Sequence, residues 1–230
     1  MAIPVQSQSQ LRALLFDVDG TLVDSNEAHI RSWLEAFAHY GKYFDYEVIR
    51  QQMGKGGDLL VPDLLQAREM RKFGKELQTY RSKLYRKNYL PGVKPFGRIK
   101  ECFELLRALD ITIVLASSSD PEEVEYYTQL LGVGDLVAGS TSKGDVELSK
   151  PSPEIFRTAL ERAGSDDERT FAVGDTPYDI LSSHRVPLPV AAVLSGGFER
   201  ELLGKAELLF TDVADLVGNL QRFDDYFDQD

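Results

Sequence analysis

At 230 residues, with 43% hydrophobic and 27% charged side chains, the chain is long enough for one full core plus a modest inserted domain. A net charge of −11 argues against nucleic acid, whose phosphates would be repelled at long range, and no apolar run approaches the length of a membrane span. Residues 1–10 are a polar lead without the basic and apolar regions of a secretion signal, and the single cysteine, Cys102, has no partner for an internal disulfide, which together point to the cytoplasm.

Residues 11–16 form an apolar run of strand length that stops at Asp17-Val18-Asp19-Gly20-Thr21. Two carboxylates so close repel unless they share a cation or a proton, and oxygen ligands call for a hard cation. A calcium loop starting at Asp17 would need glycine and glutamate where Leu22 and Ala28 stand, which excludes that reading. Ser25 or Asn26 is expected to cap a helix, since Ile30, Trp33, Leu34, Phe37 and Ala38 recur at helical spacing. Residues 45–53 predict a short helix ending at Gly54-Lys55-Gly56-Gly57. Asp58 is expected to cap a third helix with Pro62 in its first turn, and 72–88 a charged fourth. No strand candidate falls between 26 and 90, so this stretch predicts an all-helical insert. Residues 25–95 carry 13 Lys and Arg against 8 Asp and Glu, whereas the remainder carries 13 against 29. That division fits a basic lid over an acidic body, or simply helices with basic solvated faces.

Strands and helices then alternate. Residues 97–109 predict a helix, and 111–116 a strand ending at Ser117-Ser118-Ser119-Asp120. Pro121 opens the next helix, with Glu122 and Glu123 in a first turn whose dipole favours acids. A short strand is expected at 136–138. Ser152 is expected to cap a helix that starts at Pro153 and runs to Gly164. Strands follow at 171–173, ending in Gly174-Asp175, at 190–194, and at 208–210 on an edge. Asp212 is expected to cap a last helix, and the acidic tail 223–230 to fray. Such alternation predicts an α/β fold, a doubly wound, Rossmann-like parallel sheet with helices on both faces. Asp17, Ser117 and Asp175 each lie just past a strand. In a parallel sheet those ends open on one edge and can share a pocket.

Taken in order, Asp17-Val18-Asp19-Gly20-Thr21, Ser117, Lys150 ahead of Pro151-Ser152-Pro153, and Gly174-Asp175-Thr176-Pro177-Tyr178-Asp179 resemble the four motifs of the haloacid dehalogenase-like hydrolase superfamily. The resemblance spans about residues 11–197 and implies a catalytic core at 1–24 and 96–230 with a helical cap at 25–95. It implies a magnesium-dependent phosphatase acting on a small phosphorylated metabolite through an aspartyl-phosphate. Asp17 would be the nucleophile, Asp19 the general acid and base, and Lys150 the electrostatic stabiliser. Ser117 and Ser118 would hold phosphate oxygens, and Asp17, Asp19, Asp175 and Asp179 would hold Mg2+. Enzymes of this superfamily that dehalogenate small acids usually lack the second aspartate, so Asp19 favours phosphoryl chemistry.

Residues 26–33 and Gly54-Lys55-Gly56 look like the cap of the phosphoglycolate phosphatase and β-phosphoglucomutase-like branch, which implies that His29, Lys55 and Gly56 face the substrate. The mutases carry an arginine shortly after the lysine-glycine pair. Here Gly57, Asp58, Leu59 and Leu60 follow, which favours a monophosphatase over a sugar-phosphate mutase. A phosphate-binding protein without turnover is the third alternative. His39 and His184 are expected to be ordinary structural or surface histidines.

Overall fold

A computed structural model describes residues 9–164 and 168–229. Most of the polar lead, residues 1–8, and Asp230 of the acidic tail lie outside the described residues. Strands β1 (Ala13–Phe16), β2 (Val23–Asp24), β3 (Lys94–Pro95), β4 (Thr112–Ala116), β5 (Gly139–Thr141), β6 (Thr170–Gly174), β7 (Val190–Val193) and β8 (Leu208–Phe210) are separated by helices. Between β2 and β3 lie α1 (Asn26–His39), α2 (Tyr46–Arg50), α3 (Gly57–Leu64), α4 (Ala67–Glu69) and α5 (Lys75–Leu84). After β3 come α6 (Ile99–Ala108), α7 (Pro121–Leu131), α8 (Glu154–Ala163), α9 (Pro177–His184), α10 (Val213–Gly218) and α11 (Gln221–Phe227).

Among the described residues, six strands form one parallel sheet in the order β5-β4-β1-β6-β7-β8. Side-chain alternation explains why both faces are covered. Leu14, Phe16, Ile113, Leu115, Phe171 and Val173 pack on one face with Phe103, Leu106 and Leu216. Their neighbours Leu15, Val114, Ala116 and Ala172 pack on the other with Ile155, Phe156, Ile180 and the helices of the insert. A strand with no polar position on either face is the signature of a sheet buried on both sides. The result is a doubly wound α/β core with a helical cap. The chain leaves β1 toward β4 and β5, and leaves β6 toward β7 and β8, so direction reverses between β1 and β6. Such a switch point opens a crevice at the strand ends. Asp17 and Asp175 flank it.

Several local expectations are corrected. Asp58 lies inside α3, whose cap position is Gly56, and Pro62 stands within the helix beyond its first turn. The strand expected at 136–138 forms instead as β5, because Ala138 donates to Ile113 and regular pairing with β4 begins at Gly139. α8 starts at Glu154 with Pro153 at the cap position, and the Ser152 hydroxyl donates to Glu154 Oε1 at 3.1 Å rather than capping. Asp212 does cap α10, accepting from the Asp215 amide at 2.8 Å, but a further helix follows. That helix, α11, overturns the frayed tail. Phe223 is fully buried, 4.8 Å edge-on to Phe171 and 5.8 Å from Phe210 between ring centroids.

The insert contains two π-helical turns, Met70–Gly74 and Tyr85–Tyr89, that make residues 67–89 one long rod with α4 and α5. A widened turn re-aims the side chains that follow it, which is why such turns gather at functional sites. Here Tyr85 stacks on His29, with 4.2 Å between ring centroids. β2 and β3 pair antiparallel, Val23 with Pro95 and Asp24 with Lys94, so the chain enters and leaves the insert side by side.

Candidate active site

The crevice between β1 and β6 gathers the carboxylates. Asp17 follows β1 directly, and its amide donates to Val173 of β6 at 2.8 Å, which draws the two strand ends together. Gly20 turns the chain back with φ +78°, and a Cβ there would lie 2.3 Å from Asp175 Oδ2. Glycine alone satisfies both the left-handed backbone and the close approach. The turn presents Thr21, whose hydroxyl donates to Asp175 Oδ1 at 3.0 Å. Asn26, the first residue of α1, donates from Nδ2 to Asp175 Oδ2 at 3.0 Å and to the Gly196 carbonyl at 2.9 Å. Asp179 lies in the first turn of α9, where Thr176 donates from its amide (3.0 Å) and hydroxyl (2.6 Å) to Asp179 Oδ2. This reciprocal cap leaves Oδ1 pointing at the site.

Asp17, Asp175 and Asp179 can each offer one oxygen within 4.8 Å of the others. Lys150, 1% exposed, inserts its ammonium between Asp17 Oδ1 and Asp179 Oδ1, the latter at 2.7 Å. Asp179 Oδ1 makes no well-aligned hydrogen bond, so its only compensation is that ion pair. Burial pushes the Asp17 carboxyl up to about 7 against the pull of Lys150, with Asp179 and Asp19 adding to the rise. Burial, then Asp17 and Asp179, raise Asp175 well above its ordinary value. Lys150 loses water too, yet the two carboxylates hold its ammonium above the usual range. Three carboxylates facing one ammonium leave an excess of negative charge in a dry site, which a hard divalent cation would balance. The residues therefore fit a metal such as Mg2+.

Asp19 is held differently. Its Oδ1 accepts from the Ser25 hydroxyl at 2.6 Å and from His29 Nε2 at 2.7 Å, and its Oδ2 accepts from the Ser119 hydroxyl at 2.6 Å. Ser25 occupies the cap position of α1, but its hydroxyl is spent on Asp19 rather than on the helix. His29 Nδ1 faces a guanidinium nitrogen of Arg81, which can only donate. Nδ1 is therefore the acceptor, and the proton sits on Nε2, aimed at Asp19. Burial and then Arg81's charge disfavour the imidazolium, although Asp19 pulls the other way; the net shift is downward. Burial alone would raise Asp19, but His29, Ser119 and Ser25 outweigh it and hold the carboxyl well below its usual range.

The cap sits against this edge. Gly56 donates from its amide to Ser149 Oγ at 2.9 Å, and Asp58 Oδ2 accepts from the Ser149 amide at 3.0 Å. Gly54, at φ +98°, lies so close to Thr176 that a Cβ would meet its hydroxyl at 2.5 Å. A cavity of about 90 Å³ remains, lined among others by Asp17, Asp19, His29, Trp33, Ser118 and Glu123. Lys55 and Gly56 also line it, but the Lys55 ammonium is committed to Asp63 (2.6 Å) and Gln52 (2.8 Å) and lies over the Tyr178 ring. Ser117 is fully buried and does not line the cavity; its hydroxyl accepts from the Ser119 amide at 3.0 Å, and the Lys150 amide lies 3.5 Å from Ser118 Oγ. His39 stacks on Tyr80, and His184 meets Glu207; neither lines the cavity.

Four contributors are not evident from the sequence. Position along the chain marks Asn26 only as a helix start, Ser119 only as part of a turn, and Arg81 only as part of a basic face. Glu123 reads as a partner of the helix dipole, yet it is 2% exposed and lines the cavity. A weak signal exists for Glu123 alone, since α7 places it one turn before Tyr127 on the buried face.

A doubly wound core, a helical cap closed over its switch point, and a strand-end aspartate pair facing a buried lysine define the molecule as a hydrolase of the capped α/β type. Residues 14–193 match the haloacid dehalogenase-like hydrolases, and the chain belongs to that family, in its phosphoglycolate phosphatase and β-phosphoglucomutase-like branch. It is 29% identical to pyrophosphatase PpaX of Oceanobacillus iheyensis over 80% of this chain and 83% of that one. It is 28% identical to a phosphoglycolate phosphatase of Aquifex aeolicus, over 81% and 86% of the two chains. A hydrolase from Pseudomonas syringae superposes with a TM-score of 0.84 at 23% identity, covering 92% of this chain and 98% of its own. Among the described residues no helix is long and apolar enough to cross a membrane.

Proposed function

We propose that the protein is a magnesium-dependent phosphomonoesterase working through an aspartyl-phosphate, in which residues 25–95 act as the cap over the core 1–24 and 96–230. The observation that carries this is the Asp17–Lys150–Asp179 contact at the mouth of β1, with Asp175 alongside and Asp19 two residues on. The relatives named above are a pyrophosphatase and a phosphoglycolate phosphatase, whose leaving groups differ, which fits a shared phosphoryl step.

Asp17 is the nucleophile. Its carboxylate oxygen bonds to phosphorus as the bond from phosphorus to the leaving oxygen breaks. Asp19 gives that oxygen a proton, which requires the acid form; the dianionic phosphate arriving beside it favours proton uptake. Asp19 then takes a proton from water, whose oxygen attacks phosphorus and returns Asp17 as a carboxylate. The hydrogen bonds from His29, Ser25 and Ser119 fix the Asp19 carboxylate for both transfers. Lys150 screens the approach of one anion to another, a fixed charge whose value rises in a dry site. Ser117 and Ser118 supply hydroxyl and amide donors for the phosphate oxygens. Asp17, Asp19 through its backbone carbonyl, Asp175 and Asp179 would hold Mg2+, which when bound neutralises the phosphoryl oxygens. His29, Lys55 and Gly56 shape the cap side, Lys55 through its paired backbone position rather than a free ammonium. The substrate is a small soluble phosphorylated metabolite, and the protein works in the cytoplasm.

Phosphate release from a panel of phosphomonoesters, with magnesium or with chelator, tests the proposal on the parent protein and on Asp17→Asn. Magnesium-dependent release that Asp17→Asn abolishes is the expected result. Release that survives Asp17→Asn sinks the aspartyl-phosphate route. Isomer interconversion without net release would favour the mutase reading.

A further inference from the structure

Glu123 is the one buried carboxylate in the cavity for which the reaction above has no use. It is 2% exposed, and its Oε1 has no hydrogen-bond partner. An unpaired buried carboxyl is costly, so a site that keeps one is missing a donor. Arg81 lies near enough for its charge to act on Glu123, but the hydrogen bonds it makes go elsewhere: Nε to the Ser32 hydroxyl at 3.1 Å, and Nη2 to His29 Nδ1. Its guanidinium is also clamped between the rings of Trp33 and Tyr85, 4.7 and 4.6 Å from their centroids. Ser119, on the same wall, has given its hydroxyl to Asp19.

Building on the phosphatase reading, we infer that Glu123 is a specificity-determining residue that accepts a hydrogen bond from a hydroxyl of the leaving group. The substrate class is then a small polyol or sugar monophosphate, whose neutral leaving group carries donors. A pyrophosphate or a phosphoglycolate brings acceptors and a second negative charge. On the cavity wall away from Asp17 and Asp19, Asp120 and Glu123 offset Lys143 and Arg81, and the third cation there, Lys55, is already paired with Asp63, so no unpaired positive charge awaits that second anion. A hydroxyl is matched to Glu123, whereas a carboxylate or phosphate faces it as a like charge. Selection of this kind works by rejection as much as by attraction.

The test compares kcat/KM for glycerol phosphate and a tetritol phosphate with that for phosphoglycolate and pyrophosphate. p-Nitrophenyl phosphate, whose leaving group lacks a donor hydroxyl, reports on the intact phosphoryl machinery. The parent should prefer the polyol phosphates by roughly tenfold or more, and Glu123→Gln should narrow that preference about tenfold while still hydrolysing p-nitrophenyl phosphate. A parent that prefers phosphoglycolate or pyrophosphate overturns the inference, and would make Lys143 the group that reads the leaving end. A preference unchanged in Glu123→Gln also overturns it. Binding separates this failure from failure of the phosphatase reading. Trp33, the chain's single tryptophan, lines the cavity. Its fluorescence in Asp17→Asn reports ligand binding without turnover, and glycerol phosphate should bind more tightly than phosphoglycolate whether or not the parent releases phosphate. The reverse order there refutes the role of Glu123 alone.

Discussion

Replacing Glu123 by glutamine should stabilise the free protein at alkaline pH and not at acid pH. Burial pushes the Glu123 carboxyl from its ordinary 4.5 up to about 7; Arg81 and Arg86 oppose the rise, and Asp19 and Asp120 reinforce it. A folded-state value raised above the unfolded one means that the native state binds the proton more tightly. The favourable contribution is complete below 4.5 and is lost as pH climbs through about 7. A tenfold change in proton affinity is worth about 1.4 kcal/mol, so ionising Glu123 in place costs on the order of 3 kcal/mol at most, and about 2–3 kcal/mol of that develops between about pH 5 and pH 8. Glutamine keeps the shape and removes the titration. Urea unfolding of parent and variant across that range, with chelator present, measures the difference. The advantage of Glu123→Gln should grow with pH by about 2 kcal/mol, or some ~4–8 °C in Tm. A difference flat with pH would mean that Glu123 is solvated or paired, and would remove the physical ground for its role at the leaving group.

Other perturbations probe the remaining parts. Lys150→Met strands the buried carboxylates of Asp17 and Asp179, so it should cost about 3–5 kcal/mol in urea unfolding and abolish phosphate release; a loss under about 1 kcal/mol would show that water reaches the pair. Gly196→Ala places a Cβ 1.6 Å from Asp175 Oδ2 and must displace that carboxylate. Magnesium affinity by calorimetry should then fall roughly 10–100-fold with the fold retained, and unchanged affinity would take Asp175 out of the metal site. Phe223→Ala should cost about 3–5 kcal/mol by cavity formation against Phe171 and Phe210, whereas a frayed tail would lose almost nothing.

The strand-end chemistry is legible in the sequence because parallel topology converts position along the chain into position in space. Once Asp17 and Asp175 end strands of one sheet, they meet. Asp179 is legible through helical spacing, and Lys150 through its motif. What stays hidden comes through tertiary reach. Arg81 enters the site only because the rod that carries it, with its π turns, lays the guanidinium between two aromatic rings. Asn26 reaches Asp175 across a turn that glycine makes possible at position 20. The tail misleads for a simpler reason: Asp224, Asp225 and Asp228 mask the apolar stripe of Phe223, Tyr226 and Phe227, and composition outweighs periodicity. Asp224 even serves as an anchor, accepting from the Gln10 amide at 2.7 Å.

The pairing of Val23 with Pro95 has a consequence for how this architecture diversifies. To the sheet, everything between those residues is a single excursion whose two feet stand together. Closing such an excursion costs entropy only logarithmically, with about 0.6 kcal/mol for each doubling of length. Chain entropy therefore sets little limit on the size or helix count of the insert, provided the ribbon is kept; what constrains it is the packing of its helices on the sheet face of Leu15 and Ala172. The share of substrate choice that the insert carries can thus be exchanged by transplanting a segment across a two-rung splice, provided that Ser25, Asn26 and His29, which hold Asp19 and Asp175, travel with it, whereas Glu123 stays with the core.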